Sequence, residues 1–347
     1  MYKKGQNILL GISIGDMNGI GAEVILKTFE DSRMFEMCTP VIFANGKLLA
    51  FIKRMVNVQV HINTIDNFSE IEYGSVNVLN VWNEGVNLEP GLLDENVGKY
   101  AIKSFVEATK ALKEGKIDAL VTAPINKYNI QSEEFSFPGH TDYLNQELEG
   151  NSLMFMISEQ VKVGLLTDHV PLKDVSKHLT PELIKNKVAT INQSLIQDFN
   201  IPKPKIAILG LNPHAGDNGV IGNEEQEIIN PTIKQLSEEG YLVYGPYSAD
   251  AFFGTNQYQL FDAVIACYHD QGLVPFKTLS FGKGINFTAG LNKVRTSPDH
   301  GTAYDIAGQG KADPSSFREA VYLALDVYKN RNEYLISAEN PLVLGDR

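Results

Sequence analysis

DAVIACYHDQGLVPFK (262–277) and INFTAGLNKVRTSPDHGTAYDIAG (285–308), joined by a glycine-containing bridge, decide how this chain is read. The first segment opens as an apolar run with β-branched residues, which predicts a buried strand. It breaks off at Tyr268-His269-Asp270-Gln271-Gly272, and Lys277, Asn286, Arg295, Asp299, His300 and Asp305 then follow amid glycines and prolines. A stretch built only for packing has no need of so many ionisable and amide groups. Polar residues just past the carboxyl end of a buried strand are where open α/β sheets bind their ligands. The run therefore reads as half of an active site.

The same pattern recurs outward from it. NILLGISI (7–14) is a near-continuous apolar run, as expected of a strand covered on both faces. The loop GDMNGIG and a helix from Ala22 follow it. Its glycines do not make the dinucleotide fingerprint, so a tight turn is at least as good a reading as a phosphate cradle. PVIFAN (40–45) precedes a helix, NVGKYAIKSFVEATKALKEG (96–115) is a helix ending at glycine, and IDALVTAPINK (117–127) is strand plus loop. FPGHTDYL (137–144) is a loop-to-helix junction at which Thr141 is the expected cap. SLMFMISEQ and KVGLLTDHVPL read as paired strands, and Thr180 opens an amphipathic helix after His178. Strands alternate with helices throughout, which predicts an α/β protein with a mostly parallel sheet.

Composition narrows the function. The 347 residues suffice for two domains with buried cores. A net charge of −12 argues against broad nucleic-acid binding, though a local group of cations can still take an anionic substrate. Two cysteines form no disulfide framework and fit a reducing, cytoplasmic compartment. The first apolar run is short and meets Asp16, so neither a signal peptide nor a membrane span is expected.

His169, His214 and His269 each follow an apolar strand, in VGLLTDH, KIAILGLNPH and DAVIACYH. Parallel strands end on one edge, where such residues converge, and three neutral imidazoles with open positions make a familiar catalytic metal site. Asp168, Asp217 and Asp270 are available as acceptors that fix ring orientation. Acid–base work by one histidine, with the others holding loops, is the simpler alternative. Lys277, Asn286, Arg295, His140 and Thr141 together suit a phosphate or carboxylate.

GDMNGIGAE, TAPINK, FPGHTDYL, LNPHAGDNGVIGNEE, GPYSADAFF, YHDQGLVPFK and RTSPDHGTAYDIAG closely resemble the motifs of the 4-hydroxythreonine-4-phosphate dehydrogenase family of pyridoxal phosphate biosynthesis, in that family's order, from about residue 8 to residue 325. The resemblance implies the fold of isocitrate and isopropylmalate dehydrogenases, with two α/β/α domains about a central cleft in an obligate homodimer that shares its active sites. It divides the chain into 1–127 with 286–347, carrying the cofactor loop, and 128–285, carrying metal, substrate and dimer contacts. It places a divalent metal (zinc, magnesium or cobalt) on His169, His214 and His269, and substrate on His140, Thr141, Lys277, Asn286 and Arg295. DHGTAYDIAGQGKADP looks like a decarboxylating-dehydrogenase cofactor loop, which implies NAD at His300, Gly301, Thr302 and Asp305. Lys277 is the expected proton shuttle, with charge anchoring as its alternative. The chain departs from the family's pattern at GDMNGIGAE, at LLTDH and at GLNK. The first and third leave D-threonate or D-erythronate 4-phosphate as alternative substrates; a metal-dependent phosphatase or a phosphoacid-binding protein is the alternative from another class.

Overall fold

A computed structural model of the chain describes residues 7–132 and 135–339. Its strands are β1 (Ile8–Ser13), β2 (Cys38–Ala44), β3 (Ile62–Ile65), β4 (Val76–Asn80), β5 (Ala119–Thr122), β6 (Gly150–Ile157), β7 (Lys162–Leu165), β8 (Lys205–Leu209), β9 (Leu242–Tyr247), β10 (Ala263–Ala266), β11 (Ile285–Leu291) and β12 (Val294–Pro298). The principal helices are α1 (Gly21–Thr28), α2 (Gly46–Met55), α3 (Glu95–Lys113), α4 (His140–Glu147), α5 (Val175–His178), α6 (Pro181–Gln197), α7 (Asn230–Glu238), α8 (Ala249–Gly254), α9 (His269–Ser280) and α10 (Ser315–Glu339). The chain divides into two compact units, one running to Ser152 and including Leu291–Tyr328, the other Leu153–Gly290 with the residues from Lys329 onward.

In the unit that contains the amino-terminal strand, the order is β3-β4-β2-β1-β5-β12, and every neighbouring pair runs parallel. All six strands therefore end on one edge, and the loops that leave them meet there. The strands read as apolar runs because both faces are covered: Leu10, Ile12, Val41, Ile42, Leu120 and Val121 are all inaccessible to solvent. Local chemistry sets the helix ends. Asn45 accepts from the Leu48 amide at 3.1 Å to start α2, and Asp94 accepts from the Asn96 amide at 2.7 Å to start α3. Thr141 does not cap α4. The helix begins at His140, with Gly139 in extended conformation before it and no side-chain acceptor at the cap, so Thr141 stands inside the first turn.

In the second unit the order is β11-β6-β7-β10-β8-β9. β6 and β7 form an antiparallel pair, Phe155 opposite Gly164, as the two adjacent apolar runs suggest. β7, β10, β8 and β9 are parallel. The three strands that deliver His169, His269 and His214 are thus immediate neighbours, with β10 in the middle. Thr180 caps α6 by accepting from the Leu183 amide at 3.2 Å. The carboxyl-terminal part of α10 is fastened to its own unit by Arg331, whose guanidinium meets the fully buried Asp198 carboxylate at 2.5 and 3.2 Å. No helix among the described residues is long and apolar enough to cross a membrane.

Candidate active site

The glycine loop after β1 is a structural knot. The amide of Asp16 donates to Pro124, that of Asn18 to the Asp16 side chain, that of Gly19 to Asp16 and that of Ile20 to Thr302. These N–H groups are all spent within the protein, so the loop cannot cradle a phosphate with them. Gly15 has φ +68°, and a Cβ there would stand 2.4 Å from the Pro124 oxygen, which explains the glycine as a turn residue.

What the knot holds is the segment after β12. The Asp16 carboxylate, fully buried, accepts from Asn129 Nδ2 at 2.7 Å and from the Tyr304 hydroxyl at 2.6 Å. Burial, then the Asp16 carboxylate, raises the Tyr304 phenol above its ordinary pKa, so it remains a donor. Farther along, Lys27 Nζ donates to the carbonyls of Gly310 and Ala312 at 2.9 and 2.7 Å, and the Ala312 amide donates to buried Glu23. His300, Gly301, Thr302 and Asp305 therefore sit on a loop pinned at both ends. His300 Nδ1 lies 3.0 Å from the Gly301 carbonyl, which makes Nδ1 the donor and leaves the buried Nε2 as an acceptor without a protein partner among the described residues. Asp16, Asn129 and Tyr304 escaped the reading of the sequence as functional residues. The only signal was a carboxylate placed among glycines directly after a buried strand.

In the same unit, Arg295 comes from β12, Thr122 from the end of the neighbouring β5, and His140 from the first residue of α4. Arg295 is 2 % exposed, and burial draws its guanidinium down to about 9, which leaves it charged at neutral pH. Its Nε and Nη2 donate to Thr122 Oγ1 at 3.1 and 2.5 Å, and Nη2 also donates to His140 Nδ1 at 3.0 Å. A guanidinium can only donate, so Nδ1 is the acceptor and the imidazole proton is on Nε2. Burial first, then Arg295 and Lys127, hold His140 well below the usual histidine range and keep it neutral. The ring packs edge-on against Phe105, 4.5 Å between centroids, and its Nε2 is buried without a protein partner among the described residues. An unsatisfied buried donor costs about 1–3 kcal/mol. A bound acceptor oxygen removes that cost. A buried guanidinium beside it favours an oxygen with negative charge. Thr141 lies half-buried next to His140 on α4.

In the second unit, His169 follows β7, His269 opens α9 after β10, and His214 lies in the loop after β8. The rings of His169 and His269 have centroids 6.0 Å apart. His269 Nδ1 lies 2.7 Å from Asp270 Oδ1, which orients the ring. Asp168 is half-buried, burial raises its pKa, and Lys187 stands 3.8 Å from its Oδ1. A cavity of about 570 Å³ opens beside His169, lined also by Asp168, Thr180 and Lys187. Gln271 ties the strand ends together, accepting from the Cys267 amide and donating to the Gly210 carbonyl, both at 2.6 Å.

His214 lies in an unusual turn. His214, Ala215, Gly216, Asp217 and Asn218 all have positive φ, between 42° and 80°, so the backbone makes a left-handed turn. Each non-glycine residue in that conformation costs roughly 1–2 kcal/mol, somewhat less for Asn and Asp. Among the described residues of one chain, no three His, Cys, Asp or Glu side chains stand close enough to share an ion. Two imidazoles are nevertheless in place for a divalent cation, His269 oriented by Asp270 and His169 with its ring 6.0 Å away. Lys277 is exposed on α9, and Asn286 is half-buried on β11 with its Oδ1 buried and without a partner among the described residues.

A parallel α/β sheet, a buried arginine paired with a neutral imidazole donor and a row of strand-end histidines are the equipment of an enzyme for small anionic substrates. The chain belongs to the family described as pyridoxal phosphate biosynthetic protein PdxA, which matches residues 36–324. It is 48 % identical over 337 residues to a 4-hydroxythreonine-4-phosphate dehydrogenase of Bacteroides thetaiotaomicron, covering 96 % of this chain and 93 % of that one. A protein of the same name from Sulfurihydrogenibium is 43 % identical over 320 residues, 92 % of this chain and 98 % of the relative. The crystal structure of a 4-hydroxythreonine-4-phosphate dehydrogenase from Klebsiella pneumoniae superposes with a TM-score of 0.81 at 31 % identity, over 94 % of this chain and 99 % of that one.

Proposed function

We propose that the chain oxidises 4-phosphooxy-L-threonine with NAD to 2-amino-3-oxo-4-phosphooxybutanoate, which loses carbon dioxide to give 3-amino-2-oxopropyl phosphate, within pyridoxal 5'-phosphate biosynthesis in the cytoplasm. Beyond the family, the observation that carries this reading is the buried Arg295–His140 pair, whose Nε2–H lacks an acceptor among the described residues. His140, Thr141 and Arg295 then hold one anionic end of the substrate, and Lys277 and Asn286 supply a further cation and amide for it. Fixing the substrate in this way converts binding energy into orientation at the reacting carbon.

NAD, held by the loop of His300, Gly301, Thr302 and Asp305, supplies the hydride acceptor. A divalent ion (zinc, cobalt or magnesium) on His169, His214 and His269 supplies a Lewis acid for the substrate hydroxyl. Lys277 carries the hydroxyl proton away at its Nζ. The reaction balances as one hydride to NAD and one proton to the base in the oxidation, then one carbon dioxide released and one proton taken up by the carbon that lost it. A homodimer with shared sites accounts for the lack of a three-ligand group within one chain among the described residues.

The test is the appearance of NADH when purified enzyme receives NAD, divalent metal and 4-phosphooxy-L-threonine, with D-threonate and D-erythronate 4-phosphates in parallel. Turnover confined to either of the latter two would replace the substrate assignment. No NADH from any of the three, with phosphate released instead, would replace the reaction class.

A further inference from the structure

Two carboxylates hold the start of the left-handed turn of His214: half-buried Glu224, which accepts from Asn212 Nδ2 at 2.7 Å, and buried Glu225, which alone also takes the Asn212 amide. Glu225 is 1 % exposed. Its Oε1 accepts from the Asn212 amide at 2.8 Å, and its Oε2 accepts from Asn212 Nδ2 at 2.9 Å. Asn212 is the residue from which the turn departs: its carbonyl accepts from the Ala215 amide at 3.1 Å. On the far side of the turn, a Cβ on Gly216 would stand 2.6 Å from Glu225 Oε2, so the turn lies directly on the carboxylate. Glu225 itself opens a single π-helical turn, Glu225–Ile229, ahead of α7. Such one-turn insertions re-aim a helix and recur at functional sites.

Two backbone irregularities, each unfavourable alone, thus meet at one side chain. Run of left-handed residues of this kind persist only where their surroundings over-determine them, and where they occur the strain belongs to function. Each oxygen of Glu225 accepts from Asn212 and the residue is 1 % exposed, so its carboxylate faces the turn, away from solvent. We propose that Glu225 is a positioning residue: by gripping Asn212 at both its amide and its side chain, it holds the left-handed turn and thereby fixes the direction in which the His214 imidazole leaves the backbone. The inference rests on the reading of His214 as a metal ligand. Its consequence is that the metal site depends on a residue outside the ligand set, as supporting residues of metal sites commonly do.

Cobalt is the probe, because its visible spectrum reports the ligands independently of turnover. Full-length enzyme, freed of metal by chelation, is titrated with Co²⁺ as wild type, Glu225→Gln, Glu224→Gln and His214→Ala. Gln at 225 keeps the shape but sets an amide donor against a donor of Asn212. We expect its cobalt affinity to fall about 10–100-fold, with an altered visible band. Glu224→Gln, which keeps an acceptor oxygen for Asn212, stays near wild type. Gly216→Ala, which presses a methyl group onto Glu225 Oε2, serves the same purpose if Glu225→Gln fails to fold, and should give the same loss. Wild-type affinity and spectrum in Glu225→Gln, while His214→Ala loses cobalt, would overturn the role of Glu225 alone. Unchanged cobalt binding in His214→Ala would overturn the metal reading and this inference with it.

Discussion

Replacing Thr122 by valine removes one hydroxyl from beside the buried Arg295 guanidinium while keeping the shape of the side chain. In the native protein that oxygen accepts two bonds from the Arg295 guanidinium, at 3.1 and 2.5 Å. Hydrogen bonds to charged groups contribute about 1.5–3 kcal/mol each. The two share one acceptor, and Arg295 keeps its bond to His140, so they do not add in full. The expected loss is about 2–3 kcal/mol, which is roughly 5–10 °C in Tm for a domain of this size. Function should suffer in a particular way. Arg295 retains its charge but loses the atom that orients it, so the substrate KM should rise about tenfold while the KM for NAD stays constant. Differential scanning calorimetry and steady-state kinetics on the same preparation measure both. A Tm within 2 °C of wild type (a negligible shift on this scale) and an unchanged substrate KM would show that Arg295 is oriented by other contacts, and the account of the pocket would fail.

Three further outcomes follow from the same geometry. His140 is held neutral by burial and by Arg295, so its folded pKa lies below its unfolded value, and native stability should decline as pH falls from about 6.5 toward 5; His140→Gln, which keeps an acceptor for Arg295 and a donor but cannot titrate, should flatten part of that slope in urea unfolding, and an unaltered slope would assign it to other groups. Tyr304→Phe removes the 2.6 Å bond to Asp16 and should raise the KM for NAD about 5–10-fold with kcat nearly unchanged, because the loop is loosened without loss of a reacting group; a fall in kcat at constant KM would count against a positioning role. Arg331→Leu strands the fully buried Asp198 carboxylate and should cost about 3–5 kcal/mol in chemical denaturation, a loss that Asp198→Leu in the same chain should partly reverse; a loss under 1 kcal/mol would mean that the ion pair is not buried as described.

The parts of this protein that could be read from its sequence are those governed by period and by strand ends. Apolar runs with polar residues at their carboxyl ends predicted a parallel sheet, and β7, β10 and β8 prove to be adjacent, so the histidines that follow them leave from one edge. The glycine loop after β1 remained open between cradle and turn, because glycine spacing records only where the backbone bends. Which N–H groups stay free depends on Pro124 and Thr302, remote in sequence, and these close the question in favour of the turn. Thr141 was misplaced for a related reason: either of two adjacent residues could begin the helix, and an extended Gly139 settled it one position early. Glu225 was hidden more thoroughly. In LNPHAGDNGVIGNEE it is one of two consecutive acids, and no pattern distinguishes the one that stays half-buried from the one that folds beneath the turn. Burial does so, because a carboxylate removed from water must find donors, and Asn212 provides two. A site of this kind is therefore specified in two ways. Residues that meet ligand sit where topology sends them and can be found by position. Residues that hold those side chains in place are found by asking, for each buried polar atom, which partner satisfies it.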